Sequence, residues 1–464
     1  MSTPLLWIFI PGAAAVVLFF LRRWYRATVL AGTLLCLLLA GLAWALPIGQ
    51  TVALGPWALR LTELVSVLGR RLTLTAADQP MLVLIYLLAA YWFGASYIAR
   101  AGRHFVPLGL GMVVSLTAAL AVEPFLYAAL LIELAALLGV PILAAPGWPV
   151  QRGVQRYLTF QTLGMPLILF TGWMLEGAEA SAGNPEMMLR AAGLFLFGFM
   201  ILLAVFPFHT WVPMLAGQSR PYAAAFIFMV LPWMVILFGV GLLDQVALLR
   251  AYPDLPELLQ RLGLVVCVTA GVWMAFERDL GRILGYAILA ETGYSILALG
   301  LSEGVMLSIV MVLPRVLALG IWALGLTVLR SRYADLRYFT VQGAARSLPV
   351  ASAALLLAQF SIAGFPLLAG FPVRLALWEG AAAQSSWIAF GALASAVGLF
   401  ASGLRTLAVL VMGQDESPWK ITESWQITLF LGFGMVALIL VGVAPQLFLP
   451  LVGQVLQSFP SLMP

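Results

Sequence analysis

Five ionisable residues lie within or beside long apolar stretches of the chain. They are Glu133, His209, Glu291, Arg315 and Arg374. A charge in the middle of a membrane costs a few kcal/mol or more, so each such group is a functional candidate by default. Carboxyl and imidazole groups can bind and release protons, whereas the guanidinium group of arginine stays protonated. These residue types therefore indicate proton transfer, charge compensation, or both.

Glu133, His209 and Glu291 are the candidates for a proton relay. Glu133 lies in YAALLIELAALLGV, and Glu291 lies near the middle of an apolar segment beside Gly293. His209 follows Pro207, where a helix would break and open to one side. The alternatives are structural: a protonated Glu133 bonded to a neighbouring helix, a hydrogen-bonded His209, and a Glu291 that makes a polar contact between helices.

Arg315 and Arg374 are the candidates for electrostatic gating. Arg374 comes four residues after Gly370, and Arg315 directly follows Pro314. A proline frees a carbonyl group in the preceding turn, and such a carbonyl can accept hydrogen bonds from a guanidinium group. Because neither arginine can release a proton, both would act by biasing carboxylates nearby. The alternative is plain helix packing, or extension of the long side chain to the membrane surface.

Two apolar segments break with the same proline spacing. FPFHTWVP at 206–213 contains Pro207 and Pro213, and FPLLAGFP at 365–372 contains Pro366 and Pro372. Broken helices persist in a membrane only where protein or water covers the freed carbonyl groups, and paired breaks in two halves of a chain are typical of transporter repeats. The matched spacing favours an internal repeat over two ordinary proline kinks.

The composition is that of a membrane protein. Of 464 residues, 63% are hydrophobic and 9% are charged, and the mean hydropathy is +1.04, whereas soluble domains are about 25% charged. The net charge of +5 sits in short segments between apolar stretches, which argues against nucleic-acid binding. Two cysteines and two histidines without metal-ligand spacing make haem, iron–sulfur and zinc sites in this chain unexpected. We expect no cofactor in this chain and no catalysis by the chain alone.

The apolar stretches predict an all-α polytopic membrane protein. A bilayer core of about 30 Å requires roughly 20 apolar helical residues. Fourteen segments satisfy this pattern: 5–21, 27–46, 80–99, 105–122, 124–145, 157–175, 189–206, 221–243, 258–276, 281–301, 304–330, 347–383 with a break, 386–412 and 426–449. Residues 47–79 alternate in polarity and turn at Gly55–Pro56, which predicts a small extracytoplasmic β-hairpin.

Lysine and arginine residues divide unequally between the two sides of these segments. Sixteen fall in the loops after odd-numbered helices and six in the loops after even-numbered ones. The arginine-rich side is therefore expected in the cytoplasm, with both termini outside.

Three stretches resemble one family, the antiporter-like, proton-conducting membrane subunits of respiratory complex I (M, N and L types) and their relatives in membrane-bound hydrogenases and multisubunit sodium/proton antiporters. GFMILLAVFPFHTWVPM is similar to the broken seventh helix of that family, and ERDLGRILGYAILAETGYSILALGL to a segment at its tenth helix. GAARSLPVASAALLLAQFSIAGFPLLAGFPVR is similar to the family's broken twelfth helix. The resemblance covers about 105–412.

The resemblance implies fourteen helices and two inverted five-helix repeats with broken helices 7 and 12. It would place helices 1–3 in 1–104, the repeats in 105–243 and 258–412, and helix 14 in 413–464. Glu133 then occupies the glutamate position of the fifth helix, and Arg374 the terminal position of the twelfth helix, which is Lys or Glu elsewhere.

The chain departs from the family at its buried lysines. Members of the family move protons along a line of such lysines, whereas this chain contains one lysine, Lys420, in a C-terminal loop. Leu202 occupies the lysine position of the seventh helix, and Glu291 occupies a histidine position. The ionisable positions of the eighth and eleventh helices align with apolar residues, namely Ile227, Leu231, Leu313 and Leu317. The chain's own proton path is therefore expected to be degenerate.

The resemblance implies a membrane-arm subunit of a complex I-like assembly in a bacterial-type inner membrane. Flavin, iron–sulfur clusters and quinone would belong to partner subunits, and the partners would be the other membrane-arm subunits. Two alternatives stay open: a stand-alone ion transporter, and a membrane partner of a soluble enzyme in an inorganic-carbon uptake or hydrogenase system. For the latter, the arginine-rich loops at 276–282 and 330–346 would form the docking face.

Overall fold

The computed structural model describes residues 2–462 except 55–56, 68, 145–149, 181–184, 251 and 414–418. Helices dominate the first half of the chain, which begins with a π-helical turn at Leu5–Phe9. The helices are α1 Ile10–Phe20, α2 Tyr25–Ala45, α3 Gln79–Ser96, α4 Phe105–Ala121, α5 Ala128–Leu143, α6 Arg152–Ala180, α7 Pro185–Leu202, α8 Trp211–Gln218 and α9 Pro221–Gln245.

The second half is also helical. Its helices are α10 Ala247–Arg250, α11 Leu255–Phe276, α12 Leu280–Leu299, α13 Gly304–Val310, α14 Val312–Arg332, α15 Pro349–Ala363, α16 Gly370–Gln384, α17 Ser386–Val411, α18 Trp425–Val443 and α19 Leu449–Val455. Each apolar segment identified in the sequence overlaps at least one of these helices. The helical, membrane-spanning fold class is therefore confirmed, and the number of spans stays a prediction.

Within the described residues, eight helices are long and apolar enough to cross a membrane. The helix α9 is the most enclosed of these, with 94% of its apolar 18-residue stretch buried inside the chain. A helix that is hydrophobic on every face belongs in the centre of a helical assembly. Accordingly, α9 packs against α4 and α5 from the first half and against α12 and α14 from the second half. By contrast, only 22% of the corresponding stretch of α18 is buried.

Short strands occupy the stretch between α2 and α3. Strands β1 Thr51–Leu54 and β2 Trp57–Arg60 pair antiparallel, as the two arms of a hairpin do, and the turn expected at Gly55–Pro56 lies outside the described residues. A second sheet, which the sequence pattern did not predict, joins β3 Leu64–Val67 and β4 Arg70–Thr73 to β5 Val122–Glu123. Since β5 directly follows α4, this sheet ties the stretch to the helical domain.

The two helix breaks share one backbone geometry. In the first, Ala204 has a φ of 54° and the Val205 N–H donates to the Met200 carbonyl at 2.8 Å. In the second, Gly364 has a φ of 83° and the Phe365 N–H donates to the Phe360 carbonyl at 2.9 Å. A left-handed residue followed by such a six-to-one hydrogen bond is the Schellman ending of a helix.

Prolines flank both breaks in matching positions. Pro207 and Pro366 lie between the helices. Pro213 and Pro372 are the third residues of α8 and α16. In the first turn of a helix the missing N–H removes no helical hydrogen bond, so these two prolines begin the helix after the break.

Glycine permits a close approach of α11 and α12. A Cβ atom added at Gly293 on α12 would lie 2.6 Å from the Cys267 backbone nitrogen and 2.9 Å from the Gly263 carbonyl oxygen on α11. Small residues at helix contacts are the usual means of close packing in membranes, where backbones then touch directly. This contact fixes the position of α12, which carries Glu291.

We predict that Gly293→Ala destabilises the protein by about 1–3 kcal/mol, because α11 and α12 must move apart to admit the methyl group. The matched control is Gly432→Ala on α18, where an added Cβ meets no atom within 4 Å. Alanine is the better helix former there, so its stability should be unchanged or higher. The thermal midpoint of the detergent-solubilised variants checks both expectations, and equal midpoints would contradict the role of the glycine.

A buried charge cluster beside a helix break

Glu291 and Arg374 form an ion pair in the interior of the chain. Arg374 Nη2 donates to Glu291 Oε1, and the two side chains are 3% and 6% exposed for Arg374 and Glu291 respectively. Glu291 lies near the middle of α12, and Arg374 lies in the first turns of α16, just after the second break. The sequence marked both residues as candidates, and the structure brings them together.

Two main-chain carbonyls accept from the buried arginines. The Ile362 carbonyl lies in the last turn of α15, where the end of the helix leaves carbonyls without helical donors, and Arg374 Nε lies 3.4 Å from it. Pro232 inside α9 has no N–H for the Phe228 carbonyl, and Arg315 Nη2 lies 3.4 Å from that oxygen. Each guanidinium group thus lies beside a carbonyl oxygen that receives no hydrogen bond from within the helix to which that carbonyl belongs.

Gly370 sets the position of α16 relative to α15. Its N–H donates to Ser361 Oγ at 3.1 Å. A Cβ atom at this position would overlap the Ser361 carbonyl oxygen. Only glycine therefore allows α16 to start so close to the end of α15, and this start places Arg374 one turn later against Glu291.

Arg315 completes the cluster from α14. Its Nη2 lies 3.2 Å from Thr292 Oγ1, and its side chain is buried. Glu291, Arg315 and Arg374 line a cavity of about 10 Å³, which is the room that one water molecule needs. Two guanidinium groups and one carboxylate give the cluster a net charge of +1.

Tyr294 supports the ion pair through its aromatic ring. The Arg374 Cζ atom lies 3.6 Å from the centroid of this ring, and the Tyr294 hydroxyl donates to the Ala392 carbonyl at 3.2 Å. A guanidinium group over an aromatic face is attracted by the ring, and more strongly where water is excluded. Tyr294 lies one turn after Glu291, so α12 presents both groups to Arg374.

This arrangement can hold charge but has little capacity to carry protons by itself. Arginine does not release its proton, so neither Arg315 nor Arg374 can load and unload. A carboxylate fixed between them acts as a counterion, and the remaining positive charge biases any ion that passes nearby. Glu291 thus makes a polar contact between α12 and α16, and the gating role of the arginines stays a prediction.

Glu133 lies apart from the cluster, on the outer face of α5. Its side chain is half-exposed and accepts a hydrogen bond from Thr162 of α6 at 2.9 Å. Leu130 and Leu137, one turn away on either side, and the adjacent Leu134 are 45–47% exposed. Glu133 thus faces out of this chain from an apolar surface, and it makes no ion pair with any described residue.

The first break is neutral where the second is charged. Leu202, where the resemblance predicts the lysine position, ends α7 and is 5% exposed, and its carbonyl accepts from the Gln161 amide at 3.1 Å. His209 lies in a short turn after Pro207, with its ring 5.6 Å from that of Phe206. Among the described atoms, His209 Nδ1 is buried without a hydrogen-bond partner.

The resemblance aligns apolar residues of α9 and α14 with ionisable positions in the family's eighth and eleventh helices. These two sets of residues differ in their surroundings. Ile227 and Leu231 are buried in α9. Leu313 and Leu317 are partly buried on α14, and Arg315 between them is the residue that reaches the cluster. Arg315, which the sequence singled out as a gating candidate, is therefore the cation that this helix supplies.

Sequence reasoning also missed three residues that position the cluster, and a fourth, Gln161, that binds at the first break. Pro232 is detectable in principle, because it follows Phe228 by four residues and so frees its carbonyl. Tyr294 is detectable from its spacing to Glu291. Thr292 and Gln161 give no such indication, since hydroxyl and amide side chains are common in membrane helices and their partners lie far away in the chain.

The loops at 276–282 and 330–346, given above as a docking face for a soluble enzyme, make contacts within the chain. Arg330 Nη1 donates to the Ser219 carbonyl, and Arg337 pairs with Asp279 through a β-bridge. Arg332 is exposed. Among the described residues, no three His, Cys, Asp or Glu side chains are grouped as a metal site.

The fold and the cluster define a class: polytopic membrane proteins whose broken helices carry ionisable residues at membrane depth. A family model described as NADH:quinone oxidoreductase/Mrp antiporter, TM matches residues 157–400. This is more than half of the chain, so the protein belongs to that family. The matched region contains both breaks and all three charges of the cluster, and the resemblance found in the sequence is confirmed.

Curated relatives carry the names of respiratory subunits. NADH-quinone oxidoreductase subunit N of Ectopseudomonas mendocina (strain ymp) is 28% identical over 282 residues, which cover 56% of each chain. NADH-quinone oxidoreductase subunit 14 of Thermus thermophilus is 27% identical over 436 residues, which cover 90% of this chain and 92% of the relative. NADH-quinone oxidoreductase subunit N of Chromohalobacter salexigens is 29% identical over 239 residues, and this chain spans about half the length of that relative and of the Ectopseudomonas one.

Solved structures show the same fold. A chain of the Mrp complex from Dietzia has a TM-score of 0.82 at 16% identity, covering 98% of this chain and 97% of that one. A chain of the membrane-bound sulfane sulfur reductase, an archaeal respiratory complex, has a TM-score of 0.83 at 16% identity, covering 99% of both. A chain of Thermus thermophilus complex I with NADH has a TM-score of 0.75 at 23% identity, covering 98% and 100%.

We predict that Glu291→Gln costs about 3–5 kcal/mol of stability, because it leaves two buried arginines without a counterion. Arg374→Gln should cost less stability than Glu291→Gln, since the charges of the remaining Glu291 and Arg315 cancel. The double variant should also be more stable than Glu291→Gln alone. Thermal midpoints in detergent rank the three variants.

The matched control is Glu257→Gln on α11. Glu257 pairs with Arg261, but these side chains are 59% and 70% exposed. Exposed pairs contribute about 0–1 kcal/mol, so this variant should resemble the wild type. If Glu291→Gln and Glu257→Gln have equal midpoints, the buried pair does not support the fold.

Proposed function

We propose that this protein is a membrane-arm, antiporter-like subunit of a complex I-like assembly that couples electron transfer to proton translocation. The observation that carries the proposal is the family match over 157–400, which includes the second break with its charge cluster. Curated relatives named as subunits of NADH-quinone oxidoreductase support it. The extent of one of these matches, 90% of this chain, supports a subunit of the same overall organisation.

The proposal includes two inverted repeats with their breaks at α7–α8 and α15–α16. The matching Schellman endings and the matching prolines support this division. It also includes a bacterial-type inner membrane, with the arginine-rich loops inside and both termini outside, which the uneven distribution of arginine supports.

Within the assembly, this subunit would support proton translocation more than conduct protons itself. Leu202 replaces the expected lysine at the first break, and the cations at the second break are arginines. A positive charge of fixed sign can attract or repel protons in a neighbouring path, but it cannot pass them on. The subunit would thus contribute an electrostatic element and a structural link between its neighbours.

The electron-transfer groups would reside in other subunits. Flavin, iron–sulfur clusters and quinone would bind to partner chains, and the membrane neighbours would cover the apolar outer surfaces. These surfaces are extensive: on α18 alone, Leu429, Phe433 and Val436 are 60–71% exposed. Glu133 lies on another such surface, at α5.

We predict that the protein, extracted from its native membrane in a mild detergent, stays attached to several membrane subunits and to redox subunits with flavin or iron–sulfur clusters. Mass spectrometry of the purified material identifies the attached chains. Isolation as a single chain with ion-transport activity in liposomes would favour a stand-alone transporter instead. Isolation with one soluble metalloenzyme would favour the carbon-uptake alternative.

We predict that Glu133→Gln leaves assembly and proton translocation per electron pair unchanged, because the chain's own path is degenerate. Glutamine still accepts the hydrogen bond from Thr162, so the variant removes the charge alone. Proton uptake by inverted membrane vesicles, normalised to electron transfer, measures the effect. A large loss of translocation in a fully assembled complex would show that Glu133 is part of a working relay.

A further inference from the structure

A basic cavity opens on the arginine-rich side of the protein, away from the charge cluster. It has a volume of about 470 Å³ and lies between the end of α1, the turn before α4, the end of α5 and the start of α9. Its charged and titratable lining residues are all basic, namely Arg22, Arg23, Arg103, His104 and Arg220. No carboxylate is among the described residues that line it.

The arginines of this cavity are of two kinds. Arg22 Nη1 donates to the Phe19 carbonyl at 2.7 Å, and Arg220 Nη1 lies 3.3 Å from the Ala101 carbonyl. These two guanidinium groups are therefore held in place by main-chain carbonyls of this chain. Arg23 and Arg103 are exposed and have no hydrogen bond or ion pair with any described residue. Their donors remain available to a ligand.

The turn before α4 is shaped to hold Arg220 at the cavity. Gly102 has a φ of 107°, a conformation that favours glycine. A Cβ atom at Gly102 would lie 2.6 Å from Arg220 Nη1, so a side chain there would displace the guanidinium group. Burial and the nearby charge of Arg22 both lower the pKa of His104.

One wall of the cavity is apolar and continues toward the membrane. Pro141, Ile142 and Leu143 at the end of α5 line it beside the arginines. On the α1 side, Val17 and Phe20 are 54% and 74% exposed and immediately precede Arg22. A ligand that joins an anionic group to hydrocarbon chains would therefore match both parts of this surface.

We infer that this cavity binds the phosphate-bearing headgroup of an anionic phospholipid, with its acyl chains along the outer face of α1. Basic pockets between helices at the membrane surface recognise such headgroups, and each nearby arginine contributes to the attraction. The position at the end of the spans and the adjoining apolar face favour a lipid over a soluble anion or an acidic peptide. The inference does not depend on the proposed role in electron transfer.

The test uses membranes that contain the full protein with its natural partners. A phosphatidylglycerol that carries a photoreactive diazirine in its acyl chain is added to these membranes. After irradiation, mass spectrometry identifies the peptides of this chain to which the lipid has become attached. We expect labelling at α1 and at the end of α5, with a much lower yield from the corresponding phosphatidylcholine. Arg23→Gln/Arg103→Gln should reduce the phosphatidylglycerol yield by about 10-fold or more.

Two matched variants distinguish loss of binding from loss of folding. Arg23→Lys/Arg103→Lys keeps both charges and should retain most of the labelling. Arg278→Gln/Arg332→Gln removes two exposed arginines on the same side but outside this cavity, and should label as the wild type does. The amount of assembled protein in each membrane, measured by native electrophoresis, normalises the yields.

Three results would overturn the inference. The first is equal labelling by phosphatidylglycerol and phosphatidylcholine. The second is undiminished labelling of Arg23→Gln/Arg103→Gln. The third is displacement of the lipid by excess inorganic phosphate or by an acidic peptide, which would show that the cavity serves a soluble anion or a protein partner.

Discussion

The structure depends on a constraint at its centre: charges buried between helices must be matched by an opposite charge or by free acceptors. Glu291 pairs with Arg374, and one donor of each arginine faces a carbonyl that lacks a helical donor, in α9 because of Pro232 and in α15 because the helix ends. Among the described atoms, Arg315 Nε and Arg374 Nη1 have no hydrogen-bond partner. The cost of burying an unmatched charge is several kcal/mol, comparable to the whole stability of a domain. The broken helix, the internal proline of α9 and the close approach at Gly370 are therefore parts of one solution.

The two halves of the chain use the same backbone break for different purposes. At the first break, a neutral amide from Gln161 binds the carbonyl of Leu202. At the second, a guanidinium group binds the carbonyl of Ile362 and also pairs with a carboxylate. The break supplies acceptors in both cases, and the neighbouring side chain decides whether the site is charged. The two breaks thus share one backbone geometry, and within the described residues the buried ion pair lies at the second.

The sequence was sufficient to locate the helices, because long apolar segments bounded by charged or proline-rich loops leave few other structures in a membrane. It was also sufficient to locate both breaks and to select Glu291, Arg315 and Arg374, since each is a costly residue in its surroundings. It did not show that these three residues meet. Glu291 and Arg374 are 83 positions apart, and their contact depends on how α12, α14 and α16 pack. For the same reason, the sequence did not show that Glu133 faces outward while Glu291 faces inward.

The acceptor that Arg315 uses on α9 is a main-chain oxygen. Side-chain substitutions at Phe228 leave that oxygen in place, so this link between the two halves of the protein is insensitive to most mutations of the residue that provides it. The position that controls it is Pro232, one turn later, because any other residue there would return the oxygen to the helix. The link between the two halves is thus controlled by a residue that makes no polar contact of its own.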